Sequence, residues 1–175
     1  MTNETHRLVS ATFMEIPTAA YTLYRPNVAA ILVNAQDEIF IAQRINMEGA
    51  WQFPQGGIDE GEDAATALFR ELAEEIGVTQ DKLQVLKERS GYRYAFPKNR
   101  LKYGIYGGQE QTYYLCRFLG EETDINLAAT HQEFSYWKWI RPQDFQLSWV
   151  PKFKRAVYRQ VFVDFFQTEL LMNKD

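Results

Sequence analysis

Glu71, Glu74 and Glu75 follow Arg70 in the order R-E-L-A-E-E, a spacing that brings three carboxylates together if the segment is helical. At about 100° per residue they share one arc with Arg70, while Leu68, Leu72, Ile76 and Ala65 gather opposite. Three negative charges at i, i+3 and i+4 repel, and Arg70 answers only one of them. The simplest balance for the rest is a hard divalent cation, because carboxylate oxygens are the ligands that Mg2+ and Mn2+ prefer. One face of such a helix packs, and the other holds a metal.

Both ends of that helix are set locally. Asp63 has the side chain of an N-cap and Gly77 suits a left-handed residue after the last turn, with Val78 packing back, so the spacing predicts a helix over 64–76. A glycine turn at Gly56-Gly57 and a second break at Gly61-Glu62 lead into it, and glycine admits positive φ and close approach to a ligand. A merely solvated acidic face needs none of these glycines. Residues 56–78 carry seven acids against Arg70 alone, a net of −6 in a chain of net −4, which leaves the remainder mildly basic. That arrangement suits a small polyanion delivered to a cation and argues against duplex DNA, which calls for a broad basic surface.

Around this unit the chain reads as strands and one further helix. Val28 to Val33 is an unbroken aliphatic run, a buried strand, and Glu38 to Arg44 is its partner across an Asn34–Asp37 turn. Trp51 to Pro54 is a short strand stopped by proline. Leu83–Arg89 and Gly91–Phe96 read as two strands, followed by a loop over 97–108 with Lys98, Arg100 and Lys102. Gln111–Leu119 and Ser135–Ile140 are strands, the second with Trp137 and Trp139 on one face. A helical turn follows Pro142. The last helix starts near Pro151 as an N1 residue and lines up Phe153, Val157, Val161 and Phe165. Strands before and after a central helix imply an α/β (α+β) sandwich whose helices cover a mixed sheet.

At 175 residues with 46% hydrophobic and 15% aromatic content, the chain suits one core, expected over residues 23–170, with residues 1–22 as a tail or an extra strand. No apolar run approaches a membrane span and no secretion signal opens the chain, so the expected location is the cytoplasm. Cys116 is the only cysteine, placed in a strand, and is read as a buried inert thiol. Aromatics over 103–114 suit a contact surface or the core equally.

The stretch Gly56–Val78 resembles the Nudix box, G-x5-E-x7-R-E-U-x-E-E-x-G-U with U aliphatic, at every fixed position: Gly56, Glu62, Arg70, Glu71, Leu72, Glu74, Glu75, Gly77 and Val78. The resemblance implies a magnesium-dependent hydrolase of nucleoside diphosphates linked to another group, built as an α/β/α sandwich with the box helix on a mixed sheet. It makes Glu71, Glu74 and Glu75 metal ligands or the water-activating base, Gly56 a carbonyl ligand, and Glu62 with Arg70 a brace for the loop.

YRPNVAAIL from Tyr24, AWQFPQGGIDEGE from Ala50, RYAFPK from Arg93, GQxQ from Gly108, EFSYWKWI from Glu133 and FKRAVYRQV from Phe153 resemble the bacterial RNA pyrophosphohydrolases and the related diadenosine polyphosphate hydrolases. That likeness implies a nucleotide or an RNA 5′ end as substrate. It makes Glu133 a further metal ligand, places Arg25, Tyr94 and Lys98 near the substrate phosphates, and makes Phe153 a base-stacking aromatic or a core residue. Arg44, a rim arginine by position, joins the phosphate group. Gln43, Thr112 and Gln132 depart from the subgroup's pattern, the first two removing positive charge. Two other readings stand beside this one: a mononucleotide or nucleotide-sugar pyrophosphatase, and a silent nucleotide sensor, whose usual mark is loss of box acids. No box acid is lost here.

Overall fold

The aliphatic run at Val28–Val33 sits at the middle of a seven-stranded mixed sheet because both of its faces must be covered. The structure, a computed structural model, describes residues 23–130 and 132–171. Expectations for residues 1–22 lie outside the described residues. Strand β1 (Leu23–Val33) runs parallel to β6 (Tyr106–Phe118) along its whole length. On its other side β1 takes β4 (Gln55–Gly57) at Asn27–Ala29 and meets β2 (Ile39–Arg44) at Val33. Strands β3 (Trp51–Gln52) and β7 (Phe134–Ile140) pair with β2, and β5 (Leu83–Ala95) closes the far edge on β6.

Strand alternation sorts the side chains into two cores. Val28, Ala30 and Leu32 meet Ala67, Leu68, Leu72 and Ile76 of helix α1 (Ala64–Ile76) on one side. Ala29, Ile31 and Val33 meet Phe53, Phe145 and the Val157, Tyr158, Val161 and Phe162 face of helix α2 (Arg155–Phe166) on the other. The result is the expected α/β/α sandwich. Leu72 has no exposed surface, so Leu72→Ala would cost about 2–5 kcal/mol and loosen the helix that carries the acids.

Helix α1 begins and ends where its caps require. The Asp63 carboxylate accepts from Thr66 N at 2.9 Å, and Gly77 stands at φ 71° with Val78 N donating to Leu72 O at 3.2 Å. A Cβ on Gly77 would lie 2.9 Å from Asn126 Cβ, so both conformation and space call for glycine.

Five local expectations are corrected. Gly56 and Gly57 lie in strand β4 and are not a positive-φ turn; the left-handed glycines are Gly49, Gly61, Gly77, Gly91 and Gly104. Ala65 is exposed and Ala67 takes its place in the core, a rotation of the apolar stripe that helical averaging does not resolve. The two strands read over 83–96 are one, β5, which absorbs Gly91 through register shifts at Val85/Lys87 and Arg89/Tyr92. Strand β6 begins at Tyr106, inside the predicted loop. Pro151 precedes a 3-10 turn over Lys152–Lys154, and α2 starts only at Arg155. Among the described residues, no helix is long and apolar enough to cross a membrane.

Candidate active site

The parallel β1–β6 pair lies beside β4, and a cavity of about 410 Å³ opens there, which α1 reaches through Glu71. One wall is acidic. Glu71 reaches it from α1, 16% exposed, and Glu133 reaches it from the turn before β7, held by Ile45 N donating to the Glu133 carbonyl at 2.8 Å. Glu75, one helical turn past Glu71, is 3% exposed and accepts Gln55 N at 3.0 Å. Burial first, then the charges of Glu133 and Glu71, hold the Glu75 carboxyl well above its ordinary range. Burial likewise raises Glu71, against the pull of Arg70.

Arg70 is the hub of the loop. Its Nε and Nη2 donate to Glu62 at 2.9 and 2.8 Å, Nη2 to the Gly57 carbonyl at 2.9 Å, and Nη1 to Glu71 at 2.8 Å and Glu74 at 3.5 Å. Glu62 and Arg70 thus tie the start of the loop to the helix. The same guanidinium draws Glu71 and Glu74 toward itself, and among the described residues no three acids converge on one point as metal ligands. Glu74 stands at the flank, 36% exposed, and does not line the cavity.

The donor chemistry nevertheless fits a hard divalent cation. Among the described residues Glu75 and Glu133 form no salt bridge, and the Glu133 charge makes ionisation of Glu75 costlier. At Gly56 a Cβ would run into the Glu71 carboxylate, so the strand leaves open the space in which that carboxylate and the Gly56 carbonyl adjoin. A cation there would replace the repulsion among the acids with attraction.

Cations line the same cavity. Arg25, Arg44, Arg100, Lys102 and Lys154 all reach the cavity, Arg25 through space that a side chain on Gly57 would fill. Burial lowers Lys154 to about 8, helped by Arg44 and Lys102, and burial also lowers Lys102. Asn27, Gln52 and Gln109 form polar floor between the walls, and Gln111 beneath them donates to Asn27 at 2.7 Å and Gln55 at 2.8 Å. Carboxylates and cations lining one polar cavity suit a polyphosphate with its counter-ion.

A model of the NUDIX domain matches residues 23–161. The chain belongs to the Nudix family. The RNA pyrophosphohydrolase of Dinoroseobacter shibae is 46% identical to this Nudix chain over 144 residues, covering 79% of the chain and 89% of that protein. That of Rhodospirillum rubrum is 43% identical over 150 residues, covering 83% and 89%. A crystal structure of a C. elegans Ap4A hydrolase binary complex shares the fold, with a TM-score of 0.57 over 81% of this chain and 99% of that one, at 18% identity. The Nudix chain is therefore an enzyme that hydrolyses pyrophosphate bonds, and dependence on a divalent metal is general in its family.

The expected site residues of the Nudix chain divide by position. Gly56, Glu71, Glu133, Arg25, Arg44, Tyr94 and Phe153 line the cavity. Glu75 lies just beneath Gln55, and Glu62 and Arg70 brace the loop from behind. Lys98 is exposed in the 3-10 turn Pro97–Asn99 at φ 56° and is not part of the lining, whereas Arg100 and Lys102 of the same loop are. Tyr94 is 5% exposed with its hydroxyl bound to Gln109, so it is floor and not a free phosphate donor. Phe153 packs on Tyr94 at 5.6 Å and borders the α2-side core, at once lining and packing. Sequence reading missed Asn27, Gln52 and Tyr103, and gave Gly57 a turn instead of a place beside Arg25.

Proposed function

We propose that this Nudix hydrolase removes pyrophosphate from the 5′-triphosphate end of RNA, or with the same groups cleaves dinucleoside polyphosphates such as diadenosine tetraphosphate. The observation that carries the reading is one cavity lined both by Glu71 and Glu133 and by Arg25, Arg44, Arg100, Lys102 and Lys154. The RNA pyrophosphohydrolase relatives, matched over nine-tenths of their length, favour RNA among polyphosphate substrates.

Glu71, Glu74, Glu75 and Glu133, with the Gly56 carbonyl, are the proposed holders of Mg2+, for which Mn2+ can substitute. The cation supplies neutralisation of phosphate oxygens and a lowered pKa for the attacking water. Glu74 is the proposed proton acceptor: Glu75 is committed to Gln55 N and Glu71 to a 2.8 Å bond with Arg70, while Glu74 meets Arg70 only at 3.5 Å and turns from the flank toward the cavity to take the proton. Arg25, Arg44 and Lys154 face the departing phosphates and offset the charge that builds as the P–O bond breaks. Residues 23–170 act as one domain in this reading, and a single buried Cys116, its thiol raised to about 12 by burial, suits a cytoplasmic enzyme.

Products are to be separated and quantified with triphosphorylated RNA (pyrophosphate and monophosphorylated RNA), diadenosine polyphosphates (mononucleotides) and nucleotide sugars (nucleoside monophosphate and sugar phosphate) side by side, with EDTA and then Mg2+ or Mn2+ returned. Metal-restored turnover of RNA or dinucleoside polyphosphates is expected. Turnover of nucleotide sugars alone, or of RNA undiminished by chelation, would refute the proposal.

A further inference from the structure

Four aromatic rings reach the cavity, and three pack against one another: Tyr94 lies 6.1 Å from Phe96 and 5.6 Å from Phe153. Tyr103 differs. It is 70% exposed and pairs with no aromatic ring among the described residues. Its neighbours are cations, with Arg25 Cζ 5.3 Å and Lys102 Nζ 5.4 Å from the ring centroid.

The loop holds this ring out at a cost. Tyr103 adopts φ 53°, a left-handed conformation that bulky residues seldom take, and Gly104 follows at 72°. Lys102 N donates to Tyr106 O at 2.8 Å and Tyr106 N returns to Lys102 O at 3.0 Å, so the hairpin closes beneath the ring and fixes it at the cavity mouth. Core burial does not explain the arrangement, since the flanking Leu101 and Ile105 are each 54% exposed as well. A largely exposed aromatic ring with two cations over it, beside a cavity lined with arginine and lysine, is the composition that single-stranded nucleic acid uses: a base stacks on the ring, taking the place of a cation that then follows the phosphates.

We propose that Tyr103 is the platform on which one nucleobase of the substrate stacks at the cavity mouth, with Arg25 and Lys102 holding the phosphates on either side of that nucleotide. The inference rests on the RNA or dinucleoside polyphosphate reading above. Tyr103 thereby sets affinity for a nucleotide over a bare polyphosphate, without touching the bond that breaks.

The test uses Tyr103→Asn, because asparagine tolerates the left-handed backbone and removes the ring. Steady-state kinetics are measured on a triphosphorylated RNA tetranucleotide, on the same RNA made abasic at its first, second or third position, and on diadenosine tetraphosphate. Tyr103→Asn is expected to lower kcat/KM on the intact RNA about tenfold, through KM and with kcat within about twofold, and Tyr103→Trp to restore it. With one of the abasic RNAs the wild-type and Asn enzymes should become equal. Equal kinetics on intact RNA, or the same loss on every abasic substrate, would overturn the platform. If the wild-type enzyme cleaves neither RNA nor diadenosine tetraphosphate, the substrate reading falls and this inference with it; if it cleaves them and Tyr103→Asn does so equally well, only the platform falls.

Discussion

Replacing Glu62 with glutamine tests the loop brace, with a magnitude set by the geometry. Glu62 takes Arg70 through two hydrogen bonds, at 2.9 and 2.8 Å, and Asp59 N at 3.0 Å. The Arg70 hydrogen bond first, and the Asp59 amide second, hold the Glu62 carboxyl at about 2, against an ordinary 4.5. Converted at about 1.4 kcal/mol per pH unit, that depression is worth about 3 kcal/mol. Glu62 and Arg70 are 12% and 27% exposed, however, and solvent screening reduces the figure to about 1–2 kcal/mol. A depressed carboxyl stabilises the fold above its unfolded pKa near 4.5, and the stabilisation disappears as pH falls through about 2. Glu62→Gln should therefore lower Tm by about 2–8 °C between pH 6 and 8. The gap to wild type should shrink by roughly two-fifths by about pH 3.5. Thermal melts of both proteins across that range decide it. An unchanged Tm at neutral pH, or a gap that stays flat down to pH 3.5, would refute the ionic brace and leave Glu62 a packing residue.

Glu75→Gln removes a buried charge that burial, Glu133 and Glu71 all oppose, while keeping an oxygen for Gln55 N; the expected outcome is a loss of turnover of about two to three orders of magnitude with Tm unchanged or raised, read from initial rates and a melt. Gly57→Ala places a methyl group where the Arg25 guanidinium lies, so kcat/KM should fall at least about tenfold, through kcat as well as KM, and Arg25→Ala should add little to it. Lys154, lowered to about 8 by burial, then Arg44 and Lys102, carries a charge the fold disfavours below pH 8 and is freed of that penalty as pH rises toward 10.5. Lys154→Met should therefore raise Tm at pH 7, and it should abolish a decline in wild-type kcat/KM above pH 8 that a pH–rate profile would detect.

The bounds of the helix that carries the acids were legible, from Asp63 to Gly77, because capping residues act within a few residues of themselves, whereas its buried face was misjudged at Ala65. The acids of the box stood out by their charge density, and the place of Glu133 at the cavity was legible only by resemblance, since it depends on Ile45 N, 88 positions earlier, donating to the Glu133 carbonyl. What failed depends on partners distant in sequence. Gly56-Gly57 read as a turn because glycine pairs often are; their place in β4 is set by pairing with Asn27–Ala29 of β1, which no local pattern encodes. Lys98 and Arg100 are two residues apart on one loop, and only the fold of the 97–105 hairpin sends the second toward the cavity. Tyr103 gave no signal by type, for an exposed ring and a buried one are written alike.

The two glycines of β4 show why the acidic and basic walls lie so close together. Successive residues of a strand point to opposite faces, so the Cβ positions of Gly56 and Gly57 project in opposite directions. One of those spaces is taken by the Glu71 carboxylate, the other by the Arg25 guanidinium. Any larger residue at either position would push an acid or a cation away from the strand, and with it either the metal side or the phosphate side of the cavity. Arg70 donates to the Gly57 carbonyl and to Glu71 from behind, fixing the strand and the acid to one another. The separation between the proposed metal-side acids and the proposed phosphate-side cations then follows from the thickness of a bare strand, so Gly56→Ala should behave as a metal-side defect that shifts the Mg2+ dependence of the rate, and Gly57→Ala as a phosphate-side defect that leaves that dependence unchanged. If both variants gave the same kinetic change, the division of the two walls between these adjacent residues would be wrong.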